Sequence, residues 1–101
     1  MSWFVYVIEC RDGSLYTGIA IDVAKRYALH IAGKGARYTR SHPPARVLAQ
    51  FGYPDRSSAS KAEYAIKRLA PESKRALCAG ELGIGTIDAA IVATRRTPGQ
   101  R

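Results

Sequence analysis

The side chains with reactive potential in this sequence are Tyr6, Tyr16, Arg26, His30 and Glu63. The tyrosines sit in FVYVIECRDGSLYTG, Arg26 and His30 flank one helical turn in RYALH, and Glu63 lies in KAEYAIK. These residue types suit attack by an activated water on a phosphodiester. That reaction needs help for the charge on phosphorus and for the leaving oxygen. A single carboxylate such as Glu63 is enough for Mg²⁺, which keeps most of its waters and takes one or two carboxylates plus substrate oxygens. The fork of Arg26 can grip a phosphate oxygen and stabilise a pentacoordinate phosphorus. His30 can hydrogen-bond a phosphate or orient a tyrosine. A phenol is a poor base at its ordinary pKa of about 10, but a nearby guanidinium and a bound metal favour the phenolate.

Each residue also has a plainer reading. Glu63 can pair with Lys67 one turn on, or close a capping box with Ser60. The tyrosines can be aromatics at the edge of a sheet, where tyrosine is common. A helix-edge arginine is often solvated, and a helix-edge histidine is often structural.

The reactive reading requires that the elements bring these groups together. Residues 3–10 and 14–20 read as two strands, with Asp12-Gly13 as the turn signal between them. A two-residue loop would put Tyr6 and Tyr16 on opposite faces of the hairpin. A three- or five-residue connection, or a bulge near Gly13, puts them on the same face. Gly18 would then leave space above its strand for a substrate phosphate or for the waters of a metal.

Asp22 is a good N-cap for a helix through VAKRYALHIA. Val23, Tyr27 and Ile31 form the stripe expected to face the core, with Arg26 and His30 beside it. Gly33 and Gly35 end the helix. A polar, basic loop follows, GKGARYTRSHPPAR, with Tyr38 among Lys34, Arg37, Arg40 and Arg46. Pro43-Pro44 forbids a central strand or a helix interior there.

Residues 46–53 read as a third strand. In the next helix, DRSSASKAEYAIKRLA, the buried stripe is Ala59, Ala62, Ile66 and Leu69. Glu63 falls about 40° from Ala59 on the helical wheel, at the edge of that stripe and able to point along the sheet toward the hairpin. Pro71 is well placed to start a short last helix, PESKRALC. The expected fold is α+β, a small three-stranded antiparallel sheet flanked by helices in the order β-β-α-β-α-α. It forms one domain over residues 1–80. Residues 81–101 make an extension of unclear structure, read as a helix from near Thr86 or a loosely packed tail, which could recruit a protein partner or pair two copies.

The bulk numbers bound the function. A chain of 101 residues, 47% hydrophobic, can build one modest core. Sixteen Lys and Arg against eight Asp and Glu leave a net charge of +8, which favours a polyanionic partner. No stretch approaches a membrane span, and MSWFVYVIECRDG lacks the features of a signal peptide, so a cytoplasmic protein without a membrane partner is expected. Cys10 and Cys78 read as reduced thiols rather than a disulfide or a zinc site. Within the basic loop, Lys34, Arg37 and Arg40 are suited to a nucleic-acid backbone, and Tyr38 to an unpaired base.

In this ordered set the sequence resembles the GIY-YIG nuclease family. Phe4-Val5-Tyr6 corresponds to the first motif and Tyr16-Thr17-Gly18 to the second. The likeness continues through Arg26 and His30 to Glu63, and DGSLYTGI, GKGARYTR and AEYAIKRL look like the small stand-alone bacterial members. It covers roughly residues 3–78. Phe4 replaces the glycine of the first motif, and the asparagine that follows the glutamate in some homing and restriction members has no counterpart.

The resemblance implies a metal-dependent endonuclease that cleaves DNA to 5′-phosphate and 3′-hydroxyl ends, in repair or recombination. It implies catalytic roles for Tyr6, Tyr16, Arg26, His30 and Glu63. Glu63 would hold a single Mg²⁺ or Mn²⁺, with Tyr16 favoured as the base. Branched or single-stranded DNA is the expected substrate, with RNA left open. The alternative is a nucleic-acid-binding module that keeps the fold and lacks the activity.

Overall fold

The computed structural model describes residues 2–80. The expected extension over residues 81–101 lies outside the described residues. Strands β1 (Trp3–Cys10), β2 (Leu15–Ala20) and β3 (Pro44–Tyr53) form one antiparallel sheet in the order β2-β1-β3. Helices α1 (Val23–Ile31) and α2 (Arg37–Ser41) lie between β2 and β3 in sequence, and α3 (Arg56–Lys67) and α4 (Pro71–Cys78) follow β3.

The β1–β2 connection has three residues, Arg11, Asp12 and Gly13. Cys10 N donates to Ser14 O at 2.8 Å, and Gly13 N donates to Cys10 O at 2.9 Å. Gly13 adopts φ +85°, the left-handed conformation that closes this class of hairpin. In the resulting register Tyr6 faces Gly18 and Ile8 faces Tyr16. Both tyrosines therefore share one face, as the odd loop length requires.

The central strand is buried on both sides. On one face Val5 and Val7 pack against Ala59, Ala62 and Ile66 of α3 and Leu77 of α4. On the other, Tyr6, Ile8 and Cys10 pack with Ala20 and with Val23 of α1. Cys10 is buried and Cys78 half-buried, and both are thiols. No helix among the described residues is long and apolar enough to cross a membrane.

Four details differ from the sequence reading. Ile31 is 62% exposed, and His30 takes its place on the inner side of α1. α1 thus turns its polar edge toward the tyrosines, which changes which residues face the sheet. Leu69 lies just beyond the end of α3 and is only partly buried. The basic loop contains a short helix, α2, which buries Thr39 and leaves Arg37, Tyr38 and Arg40 outside. β3 begins at Pro44 rather than residue 46, a position that proline tolerates as the first residue of an edge strand.

Candidate active site

Tyr6, Tyr16 and His30 meet on the α1 face of the sheet. Ring centroids are 6.3 Å apart for Tyr6 and Tyr16, 5.8 Å for Tyr6 and His30, and 5.1 Å for Tyr16 and His30. The hairpin register aligns the tyrosines. Asp22 starts α1 by accepting a hydrogen bond from the Lys25 backbone at 3.0 Å, and α1 packs with Val23 and His30 buried.

The hydrogen bonds fix which atom carries each proton. Thr39 Oγ1 lies 3.1 Å from the carbonyl of Ala36, to which it can only donate. It must then accept from Nδ1–H of His30, 2.7 Å away. Burial, which lowers the His30 pKa, favours the neutral ring, and in that form Nε2 accepts from the Tyr6 hydroxyl at 2.8 Å.

The electrostatics agree with this assignment. Burial, with the Tyr6 side chain 1% exposed, pushes its phenol up to about 12. Neighbouring Tyr16 adds to the rise, the contact and charge of Arg26 oppose it, and the charge of Glu63 raises it further. At Tyr6 desolvation outweighs the Arg26 guanidinium, so Arg26 without the metal charge that the expectation paired with it does not bring this phenol down. Burial also lowers the pKa of His30, and the Arg26 charge lowers it further.

The space above Gly18 is not open, as expected, but filled. A Cβ there would lie 2.6 Å from the Tyr6 hydroxyl oxygen, so the glycine makes room for the phenol. Gly35 has the same role for histidine, since a Cβ at that position would run into the His30 ring. Sequence reading took Gly35 as a helix stop.

Arg26 is exposed on α1, close enough to Tyr6 to act on it. Glu63 projects from α3, on the opposite side of the sheet, yet its charge also reaches Tyr6. Its carboxylate is 22% exposed and lies 3.3 Å from Lys67 Nζ, the ion pair foreseen as its plainer reading. No Ser60 capping box forms, because Asp55 caps α3 by accepting from Ser58 N at 2.8 Å. Among the described residues no three His, Cys, Asp or Glu side chains cluster to cage a metal. One half-exposed carboxylate fits an ion that keeps most of its own water, such as Mg²⁺ or Mn²⁺.

Of the basic loop, Lys34, Arg37 and Arg40 line one polar hollow of about 290 Å³ with Gly33, Gly35 and Ala36. Arg46 is not among them. It pairs from β3 with Glu9 at 2.9 Å, and Glu9 also holds Arg75 of α4 at 2.7 Å. Tyr38, expected to stack on an unpaired base, is exposed at the surface with ring neighbours of its own. It stacks on His42 at 4.2 Å and lies 5.9 Å from Tyr16. Asp12 of the hairpin turn holds His42 Nδ1 at 2.6 Å, tying the turn to the segment after α2. Sequence reading missed Thr39, Gly35, His42 and Asp12 as parts of this assembly. The visible signal was the density of polar residues after α1, but only the fold gives them partners.

Comparisons with known proteins bear on the family and the fold. The family model described as the GIY-YIG catalytic domain matches residues 2–75. A UPF0213 protein of Cupriavidus pinatubonensis is 56% identical over 77 residues, covering 76% of this chain and 86% of that protein. Another from Desulfotalea psychrophila is 50% identical over 88 residues, covering 85% and 80% respectively. The solution NMR structure of a UPF0213 protein from Bacillus halodurans superposes with a TM-score of 0.51 at 39% identity, covering 87% of this chain and 94% of that one.

Proposed function

The chain belongs to the GIY-YIG family, and from that footing we propose that it is a divalent-metal-dependent endonuclease acting on DNA. What carries the reading is that Tyr6 of β1, Tyr16 of β2 and His30 of α1 share one cluster, with Arg26 of α1 beside it.

In this mechanism Tyr6, locked as a donor, holds His30 and the adjoining ring of Tyr16 in place. Tyr16, half-buried and not fixed by the His30–Thr39 chain, would first lose its hydroxyl proton to solvent and then, as the phenolate, take the proton from the attacking water. Arg26 grips a non-bridging oxygen and stabilises the charge on phosphorus. Glu63 would hold the ion after exchanging its contact with Lys67. A bound divalent ion supplies charge neutralisation at the phosphate and the leaving oxygen. Lys34, Arg37 and Arg40 hold the strand through its backbone, without reading sequence. The products are 5′-phosphate and 3′-hydroxyl ends. The substrates are branched or single-stranded DNA of the kind met in repair and recombination.

The test is incubation of purified protein with forks, flaps, junctions and single strands, in Mg²⁺, Mn²⁺ or EDTA. Metal-dependent cleavage that Glu63→Gln abolishes while binding persists is the expected result. The Glu63–Lys67 pair favours a second reading, a binding module without activity. Binding with no cleavage in any metal would establish that reading and overturn the first.

A further inference from the structure

A groove of about 630 Å³ lies at the Ala20 end of β2, beside the start of β1, and is lined in part by Trp3, Ile19, Ile21, Lys25, Arg26 and Arg56. It begins at Arg26, the residue that acts on Tyr6. It reaches the first turn of α3, where the Arg56 guanidinium lies 5.7 Å from the centre of the Trp3 ring. Arg56 and Glu63 are separated by about 10 Å along α3 and about 20° around it, from helix geometry. That spacing is about three base rises along a strand.

The lining is cationic and apolar together. Lys25, Arg26 and Arg56 outnumber Asp22, whose carboxylate is engaged in capping α1. Ile21 is 42% exposed and belongs to neither core cluster. Cations suit backbone phosphates, and exposed apolar surface suits sugars and base faces. The volume, about 630 Å³, falls within the range of small-ligand clefts, about 300–1,000 Å³, enough for one or two nucleotides.

We propose that this groove is a second nucleic-acid subsite, holding the single strand that flanks the phosphate at Tyr16. Lys25 and Arg56 engage its phosphates, and Ile21 and Trp3 contact its sugars and bases. The position of the strand rests on the nuclease reading, while the binding itself does not.

The experiment uses a labelled single-stranded DNA of about twelve nucleotides and the Glu63→Gln protein, so that binding is measured without cleavage. Lys25→Ala with Arg56→Ala is compared with Arg11→Ala with Lys61→Ala, which removes the same charge at exposed positions outside the groove. The groove pair should weaken binding about ten-fold and lower the slope of log affinity against log salt by about 1.4. The control pair should change affinity less than about two-fold.

Trp3 is the single tryptophan of the sequence, so its emission reports on the groove directly. DNA should quench it in the parent and control proteins and leave it unchanged in the groove variant. Equal weakening by both pairs, no weakening by either, or an unmoved Trp3 signal in the parent overturns the proposal. Cleavage by the wild-type protein alongside any of these leaves the nuclease standing and the groove refuted. A groove-specific loss of binding in a protein that cleaves nothing does the reverse.

Discussion

Tyr6 ends a chain of hydrogen bonds that starts at a backbone carbonyl, passes through Thr39 and His30, and leaves the phenol proton with one destination. Thr39→Val keeps the shape and removes the acceptor for His30 Nδ1–H. An unpaired buried donor costs about 1–3 kcal/mol, and each kcal/mol lowers Tm by about 4–8 °C in a domain this small. Thermal unfolding should show that loss, and Thr39→Ser should restore most of it. An unshifted Tm in the valine variant would mean that His30 has another partner or tautomer.

The pH behaviour of His30 follows from its burial. Its pKa in the fold lies below the ordinary 6.5, so the unfolded chain takes up a proton that the folded one refuses. Its contribution to stability is present above that value and is lost as pH falls through it toward the folded pKa. The titration midpoint read from the His30 ring resonances should lie below 6.5. Titration at or above that value would contradict the hydrogen-bond assignment.

At the level of elements, the hairpin decides whether the site exists. Deleting Asp12 leaves a two-residue turn, and the period of a strand then moves Tyr16 to the face of α3. The same deletion removes the carboxylate that holds His42. Hydrogen–deuterium exchange should show altered β1–β2 pairing, and both cleavage and the Tyr16–His30 ring contact should be lost. A variant that kept full activity would show that the two tyrosines need not share a face. The helices contribute through rotation more than length. α1 brings His30 inward and leaves Ile31 exposed, and α2 buries Thr39 while its cations remain outside.

On the scale of the whole molecule, the net charge of +8 provides long-range attraction for a polyanion. Not all of the cations are available for it, because Arg46 and Arg75 are engaged by Glu9. Lys34, Arg37 and Arg40 share one hollow, so replacing all three with alanine should lower the salt slope of single-strand binding by about 2, at about 0.7 per cation. Titrations at several salt concentrations measure it. A slope that stays the same would assign the backbone contacts to other surfaces.

The elements were legible from local chemistry, and the family from the resemblance carried by its ordered motifs. Asp12-Gly13 marks the hairpin, Asp22 begins α1, and the spacing of Ala59, Ala62 and Ile66 identifies the buried side of α3. Each signal arises within a few residues, where propensity, capping and period act directly. The state of the site was not legible in the same way. Whether Tyr6 is a donor or a base, whether Gly18 is open or filled, and what Thr39 and His42 hold depend on groups distant in sequence. Desolvation and hydrogen-bond partnership are properties of packing, and the tertiary structure alone assigns them.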